Sequence, residues 1–184
     1  MKLSIFILGS TLALASAETI NVKSGDSIQK ALEQVKPGDT IKISDGTYFE
    51  DLETVIDGEP DKRITIEGSR KAVLKGTTKK ARLFQIFHSY YTINGFTIDG
   101  KHNDGKKESD YVQKLLYAHG NRKTRTIKQY GKEFRSSIDG LIVSNMKLIN
   151  SADECARFRY FITNLQVYGA ISKTVESLIS SLMI

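Results

Sequence analysis

Cysteine is almost absent: the 184 residues contain one, Cys155. It has no partner within the chain, so it is either a free interior thiol or half of a bond made elsewhere. No Cys/His cluster has zinc spacing, because His88, His102 and His119 stand far apart. Each histidine reads as a surface or packing residue. There is no Asn-x-Ser/Thr sequon and no linear EF-hand pattern. After the first 17 residues no stretch is long and apolar enough to cross a bilayer. Only one strong amphipathic helix can be drawn, which argues against a doubly wound α/β sheet.

What is present begins with a leader. Lys2 precedes two apolar runs, Ile5–Leu8 and Leu12–Ala15, and Ala15-Ser16-Ala17 is a small-x-small cleavage pattern. The run is too short for a membrane span. Residues 1–17 are therefore expected to be a signal peptide, with cleavage before Glu18, export, and no membrane attachment afterwards. The remaining length suits one domain with a sizeable core, residues 18–164, and a single copy.

The formal net charge is +6. Almost all of the excess sits between Lys101 and Arg135, where ten Lys/Arg face four Asp/Glu. A basic patch favours a polyanion. For an exported protein the expected polyanion is an acidic polysaccharide rather than nucleic acid. Residues 101–135 read as a long basic insertion loop. Tyr111, Leu115 and Leu116 suggest a helical turn or two, while Arg122, Lys123 and Arg125 are candidate substrate-binding residues. A solvated loop without a ligand is the alternative.

Ile28, Ala31, Leu32 and Val35 fall on one helical face. Asp26 is placed to cap that helix, with Gln29 three residues on. Pro37-Gly38 stops it. Ile41 and Ile43 then alternate with Lys42 as a half-buried strand, and Asp45-Gly46 marks a turn.

Short alternating segments ending at Gly, Asn or Asp follow: Arg63–Gly68, Ala72–Gly76, Leu83–Phe87, Tyr91–Gly95, Phe96–Gly100, Ile138–Val143, Met146–Asn150 and Phe158–Ile162. Ile64-Thr-Ile-Glu-Gly and Tyr91-Thr-Ile-Asn-Gly look like one element repeated about 27 residues later, the signature of a solenoid. A parallel β-helix exposes an apolar end, and the single helix is well placed to cover it.

Gly25–Leu32, Lys36–Ile41 and Asp45–Tyr48 resemble the opening of pectate-lyase-like, right-handed parallel β-helix proteins. Gly95–Gly100 and Leu141–Asn150 look like their repeating coils. The resemblance implies an all-β solenoid, a right-handed parallel β-helix with an N-terminal capping α-helix. It also implies β-elimination of a uronic-acid polymer such as pectate, with Ca²⁺ or Arg/Lys neutralising the carboxylate and a Lys or Arg as base.

On that basis Arg157 and Arg159, two apart on one strand with Phe158 and Tyr160 facing the other way, are candidate catalytic residues. An arginine ladder paired with Asp153 and Glu154 is the alternative. Lys147 is a third candidate. Asp99, Asp139 and Asp153 are candidate calcium ligands, with Asp104 nearby in sequence. Asp99 and Asp139 each precede glycine, which turn formation also explains.

Two other functions stay open. A non-catalytic carbohydrate-binding or surface-interaction solenoid fits the same pattern. So does a glycoside hydrolase, although the Asn-Thr-Asp, Asp-Asp and Gly-His-Gly elements of β-helix polygalacturonases are missing. Ala118-His119-Gly120 is only a partial echo. From Leu165 the turn residues thin out, and Val175, Leu178, Ile179 and Leu182 fit a helical stripe. Residues 165–184 are expected either to cap the last coil as a helix or to be unrelated sequence that replaces lost coils.

Overall fold

The computed structural model describes residues 16–76, 81–104, 107–120, 125–129 and 132–173. Most of the expected leader, Arg122, Lys123 and the stripe from Val175 to Leu182 lie outside the described residues. The chain opens with β1 (Thr19–Val22) and α1 (Ile28–Leu32). A first coil holds β2 (Thr40–Ile43), β3 (Gly46–Phe49) and β4 (Leu52–Glu53); a second holds β5 (Ile64–Gly68), β6 (Ala72–Lys75) and β7 (Arg82–Ile86). A third holds β8 (Tyr91–Asn94), β9 (Thr97–Asp99) and β10 (Lys114–His119). A hairpin of β11 (Arg125–Gln129) and β12 (Lys132–Ser136) stands before the fourth coil. That coil holds β13 (Ile138–Asp139), β14 (Ile142–Ser144), β15 (Lys147–Ile149) and β16 (Glu154–Arg159). The fifth holds β17 (Ile162–Thr163), β18 (Gln166–Tyr168) and β19 (Ile171–Lys173).

Corresponding strands stack into three sheets. The first runs β1-β2-β5-β8-β14-β18, the second β3-β6-β9-β15-β19 and the third β4-β7-β10-β16. Every pairing within them is parallel. Parallel strands joined coil to coil in three faces make a parallel β-helix. Ile64 pairs with Tyr91 and Ile66 with Ile93, so the repeat seen in the sequence is the true register.

Alternation explains the core. Ile20, Ile41, Ile66, Ile93, Val143 and Val167 succeed one another on the first sheet. Tyr48, Leu74, Ile98 and Leu148 do so on the second, and Leu52, Phe84, Leu116 and Ala156 on the third. Ile41, Ile66, Ile93, Phe84, Leu116 and Ile98 are completely buried. Each such side chain contributes roughly 1.5–3 kcal/mol by leaving water. Between the first two sheets the chain turns through one left-handed residue in each of the last three coils: Gly95, Asn145 and Gly169 have φ of 92°, 52° and 62°. Glycine and asparagine are the residues that tolerate this conformation best.

The helix differs from its expected form. Its N-cap is Ser27, which accepts from the Lys30 amide at 3.1 Å; Asp26 instead accepts from the Lys23 amide at 2.8 Å. The remaining free amides at the helix start find Glu50, which accepts from Ile28 at 2.6 Å and from Gln29 at 3.2 Å. A carboxylate from the first coil therefore does the capping, which no local spacing could reveal. Ile28, Ala31 and Leu32 are buried beside β1, β2 and β4.

Two segment readings also change. Residues 101–135 are not one loop: Lys114–His119 is the core strand β10, with Leu115 and Leu116 buried on sheet geometry rather than on a helix. Arg125–Gln129 and Lys132–Ser136 pair antiparallel as a hairpin separate from the three stacked sheets. At the other end, β18 and β19 continue the first and second sheets, so residues 166–173 are a fifth coil and not a helix.

Candidate functional site

A cluster of cations and rings stands on the outward side of the third sheet, around a Tyr117 that is itself buried. Parity sends Phe84, Leu116 and Phe158 inward. Gln85, Tyr117 and Arg157 are successive partners in an outward row, followed by His119 beside Arg159. The rings of Tyr117 and His119 stack at 5.6 Å, and the exposed Tyr160 meets His119 edge-on at 5.1 Å. The Arg82 guanidinium lies 4.1 Å over Tyr117, and that of Arg159 lies 4.6 Å over Tyr160. Arg159 also donates to the Tyr160 hydroxyl. Two cations thus flank three aromatic rings, drawn from the second, third and fourth coils.

His119 is the titratable centre of this group. Partial burial pushes its pKa below 6.5, and the charges of Arg82 and Arg159 push it in the same direction. Its imidazole is therefore neutral at pH 7, able to accept a proton, within a positive field that attracts anions. Among the described residues no carboxylate pairs with Arg82 or Arg159.

The basic hairpin springs from the same place. The Gly120 amide donates to the Arg159 carbonyl at 2.9 Å, and the Ser137 amide donates to the Phe161 carbonyl at 2.8 Å. The residues before and after the hairpin are therefore bonded to Arg159, the last residue of β16, and to Phe161, two residues on. Arg125 stands in β11, at the start of that hairpin.

The residues singled out in the sequence are distributed as follows. Arg159 belongs to the group around His119. Arg157 lies beside it in the outward row, but its Nε is 3.2 Å from the Glu154 carboxylate. The same sheet holds a second ion pair, Lys114 Nζ to Asp153 Oδ2 at 2.5 Å. Arg82 from the second coil, not Arg157, is the other cation facing His119. Tyr160 does not face away from Arg159 as strict alternation would require. The strand ends at Arg159, and the positive φ of Tyr160 swings its ring back over the outer surface. Lys147 is exposed on β15 in the second sheet, away from this group.

Asp99, Asp139 and Asp153 are not brought together. Asp99 accepts from Asn150 at 2.8 Å and pairs with Lys75 at 3.4 Å. Asp139 accepts from Tyr90, Thr163 and Asn164 at 2.6, 2.8 and 2.7 Å. Asp153 is engaged by Lys114. Among the described residues no group of three or more His, Cys, Asp or Glu could hold a metal ion. Oxygens already facing N–H, O–H and ammonium donors do not fit a calcium ion, which needs six to eight oxygen ligands of its own.

Sequence reading missed Arg82, Tyr117, His119 and Tyr160. The usable signal was the alternation Lys114-Leu-Leu-Tyr-Ala-His119, which puts tyrosine and histidine on one side. It was obscured because high local charge made the segment look like a loop. The shallow groove of about 390 Å³ on the first sheet is a weaker candidate for polyanions, because Lys42 there is outnumbered by Asp45 and Glu67.

No family model matches the chain, and no curated protein matches it. Among solved structures, an alginate lyase from Paenibacillus sp. str. FPU-7 is similar at a TM-score of 0.63 and 18% identity, over 83% of this chain and 44% of that one. The PL6 family alginate lyase AlyGC gives a TM-score of 0.43 at 22% identity, over 72% of this chain and 15% of that one. The chain thus spans under half the length of either lyase. The likeness to the Paenibacillus structure supports the parallel β-helix fold.

Proposed function

We propose that this chain binds an acidic polysaccharide along the outer face of its third sheet and acts on it as a β-eliminating lyase. The observation that carries the proposal is His119 set between Arg82 and Arg159 at the root of a basic hairpin. β-Elimination on a uronate needs three things: neutralisation of the carboxylate, removal of the proton α to it, and a proton for the departing glycosidic oxygen. Arg159, the register partner of His119, supplies the neutralising charge, and Arg82 holds the carboxylate of another unit. His119 takes the C5 proton as base. The electrons form the C4–C5 double bond as the C4–O bond breaks, and the Tyr160 hydroxyl protonates the leaving oxygen. Of the two kinds of neutralising group that the sequence left open, Ca²⁺ or Arg/Lys, a guanidinium fills the role. A uronan is the substrate class: pectate was the expectation from sequence, and alginate is what the Paenibacillus neighbour's name adds. The leader pattern supports an activity outside the cell, and α1 is read as the lid of the first coil.

The test is incubation with polygalacturonate, polymannuronate and polyguluronate, followed by ultraviolet absorbance of the unsaturated product. Wild-type protein should generate that absorbance, and His119→Ala should lose it while still binding polymer. Bound polymer without product would make the chain a binding solenoid. Reducing ends without absorbance would make it a hydrolase.

A further inference from the structure

Tyr160 and Phe161 follow one another in the left-handed region, with φ of 54° and 52°. One bulky residue there is unusual, and two in succession are more so. Both side chains face solvent, at 53% and 45% exposure. Phe161 belongs neither to the core nor to its packed margin. The turn is nevertheless held firmly. The Gly120 leg of the hairpin comes so close that a Cβ there would overlap the Tyr160 carbonyl oxygen. Beside it, the Ser137 amide donates to the Phe161 carbonyl. A backbone that neither aromatic favours is thus clamped so as to display both. Outliers of this kind gather at ligand-binding places.

We propose that the Tyr160–Phe161 turn is a sugar-stacking subsite, with the Phe161 ring taking the C–H face of a pyranose in the polymer next to His119. The proposal rests on reading the third sheet as a uronan site. A uronate ring has an apolar C–H face and a charged edge. The aromatic face meets the first, while Arg159 and Arg82 meet the carboxylates of separate units along the polymer. Arg159 already covers one face of Tyr160, which leaves Phe161 as the ring to receive a sugar. Arg82 and Arg159 stand two strands and five residues of register apart, with backbones roughly 19 Å from each other by ordinary strand spacing and rise, a span of several linked sugar rings. The subsite therefore selects a polymer over a single sugar.

The chain has no tryptophan, so Phe161→Trp installs a single reporter of this position. Its emission should shift on titration with polymannuronate, polyguluronate or polygalacturonate, and stay constant with neutral dextran. Phe161→Ala should weaken polymer binding about tenfold, and Phe161→Tyr should restore it. If the wild-type protein binds a uronan while the Phe161→Trp emission and the Phe161→Ala affinity both stay unchanged, the subsite alone is overturned. Failure of the wild-type protein to bind any of the three polymers would overturn the uronan reading and the subsite with it.

Discussion

His119 gains its role from neighbours that are remote in sequence. Arg82 lies on the preceding coil and Arg159 on the following one; burial first, and then these two charges, hold the imidazole below its ordinary 6.5. Activity that needs the neutral base should therefore rise with pH along an acid limb centred below 6.5. Arg159→Gln removes one positive charge and should move that limb upward, towards the ordinary histidine value. The pH profile of kcat/KM measures the shift; an unmoved limb would show that another group titrates. No spacing rule connects positions 82, 119 and 159. They meet because the coils differ in length, and those lengths were hidden in the charged stretch between Lys101 and Arg135. The pair Arg157 and Arg159 was visible as a motif, yet Glu154, three residues before Arg157, engages one of the two.

At the scale of elements, the turns set the register. Gly95 is the clearest case: it has φ of 92°, and a Cβ there would overlap the Gly68 carbonyl oxygen. Two adjacent coils touch there through bare backbone. Gly95→Ala should lower stability by about 1–3 kcal/mol or more, from backbone strain together with the forced separation of coils. Denaturant unfolding monitored by far-ultraviolet circular dichroism reads this directly, and a change below about 0.5 kcal/mol would refute it. These turns were legible in the sequence, since Ile64–Gly68 and Tyr91–Gly95 announce both the strand and its stop. The cap of α1 was less so. Asp26 had the right chemistry locally, but Glu50 in the first coil supplies the decisive carboxylate. β10 was misread because six residues with charged ends and polar surroundings resemble a loop until the strands on either side of it are in place.

Across the whole molecule, one polar node ties several coils together. The Asp139 carboxylate accepts from Tyr90, ahead of the third coil, and from Thr163 and Asn164 in the fifth. Arg63 of the second coil reaches the same turn through the Gly140 carbonyl. Burial raises the Asp139 pKa, but the bonds from Tyr90, Thr163, Asn164 and the Gly140 amide outweigh it, and the result lies below the ordinary 3.8. A carboxyl depressed by folding stabilises the protein above its unfolded pKa. That stabilisation fades as pH falls through the lower folded value. Asp139→Asn should therefore cost roughly 1–3 kcal/mol at pH 7 and flatten the acid side of the stability profile. Equal stability losses at pH 7 and at pH 3 would show that the charge is not what matters.

The stacking register is indifferent to chain length. Ser144 meets Asn94 across 50 residues, whereas Thr163 meets Asp139 across only 24. The third-to-fourth step absorbs the hairpin without shifting a single rung, and its two legs close to neighbouring points, with a Cβ at Gly120 only 3.2 Å from that of Ser137. Such a junction behaves as a socket. Joining Gly120 to Ser137 by a short link should therefore leave the rungs in place, with far-ultraviolet circular dichroism and unfolding midpoint as the measure; a lost transition would refute it. What the molecule grips could then change by exchanging one cassette, independently of the rungs that support it.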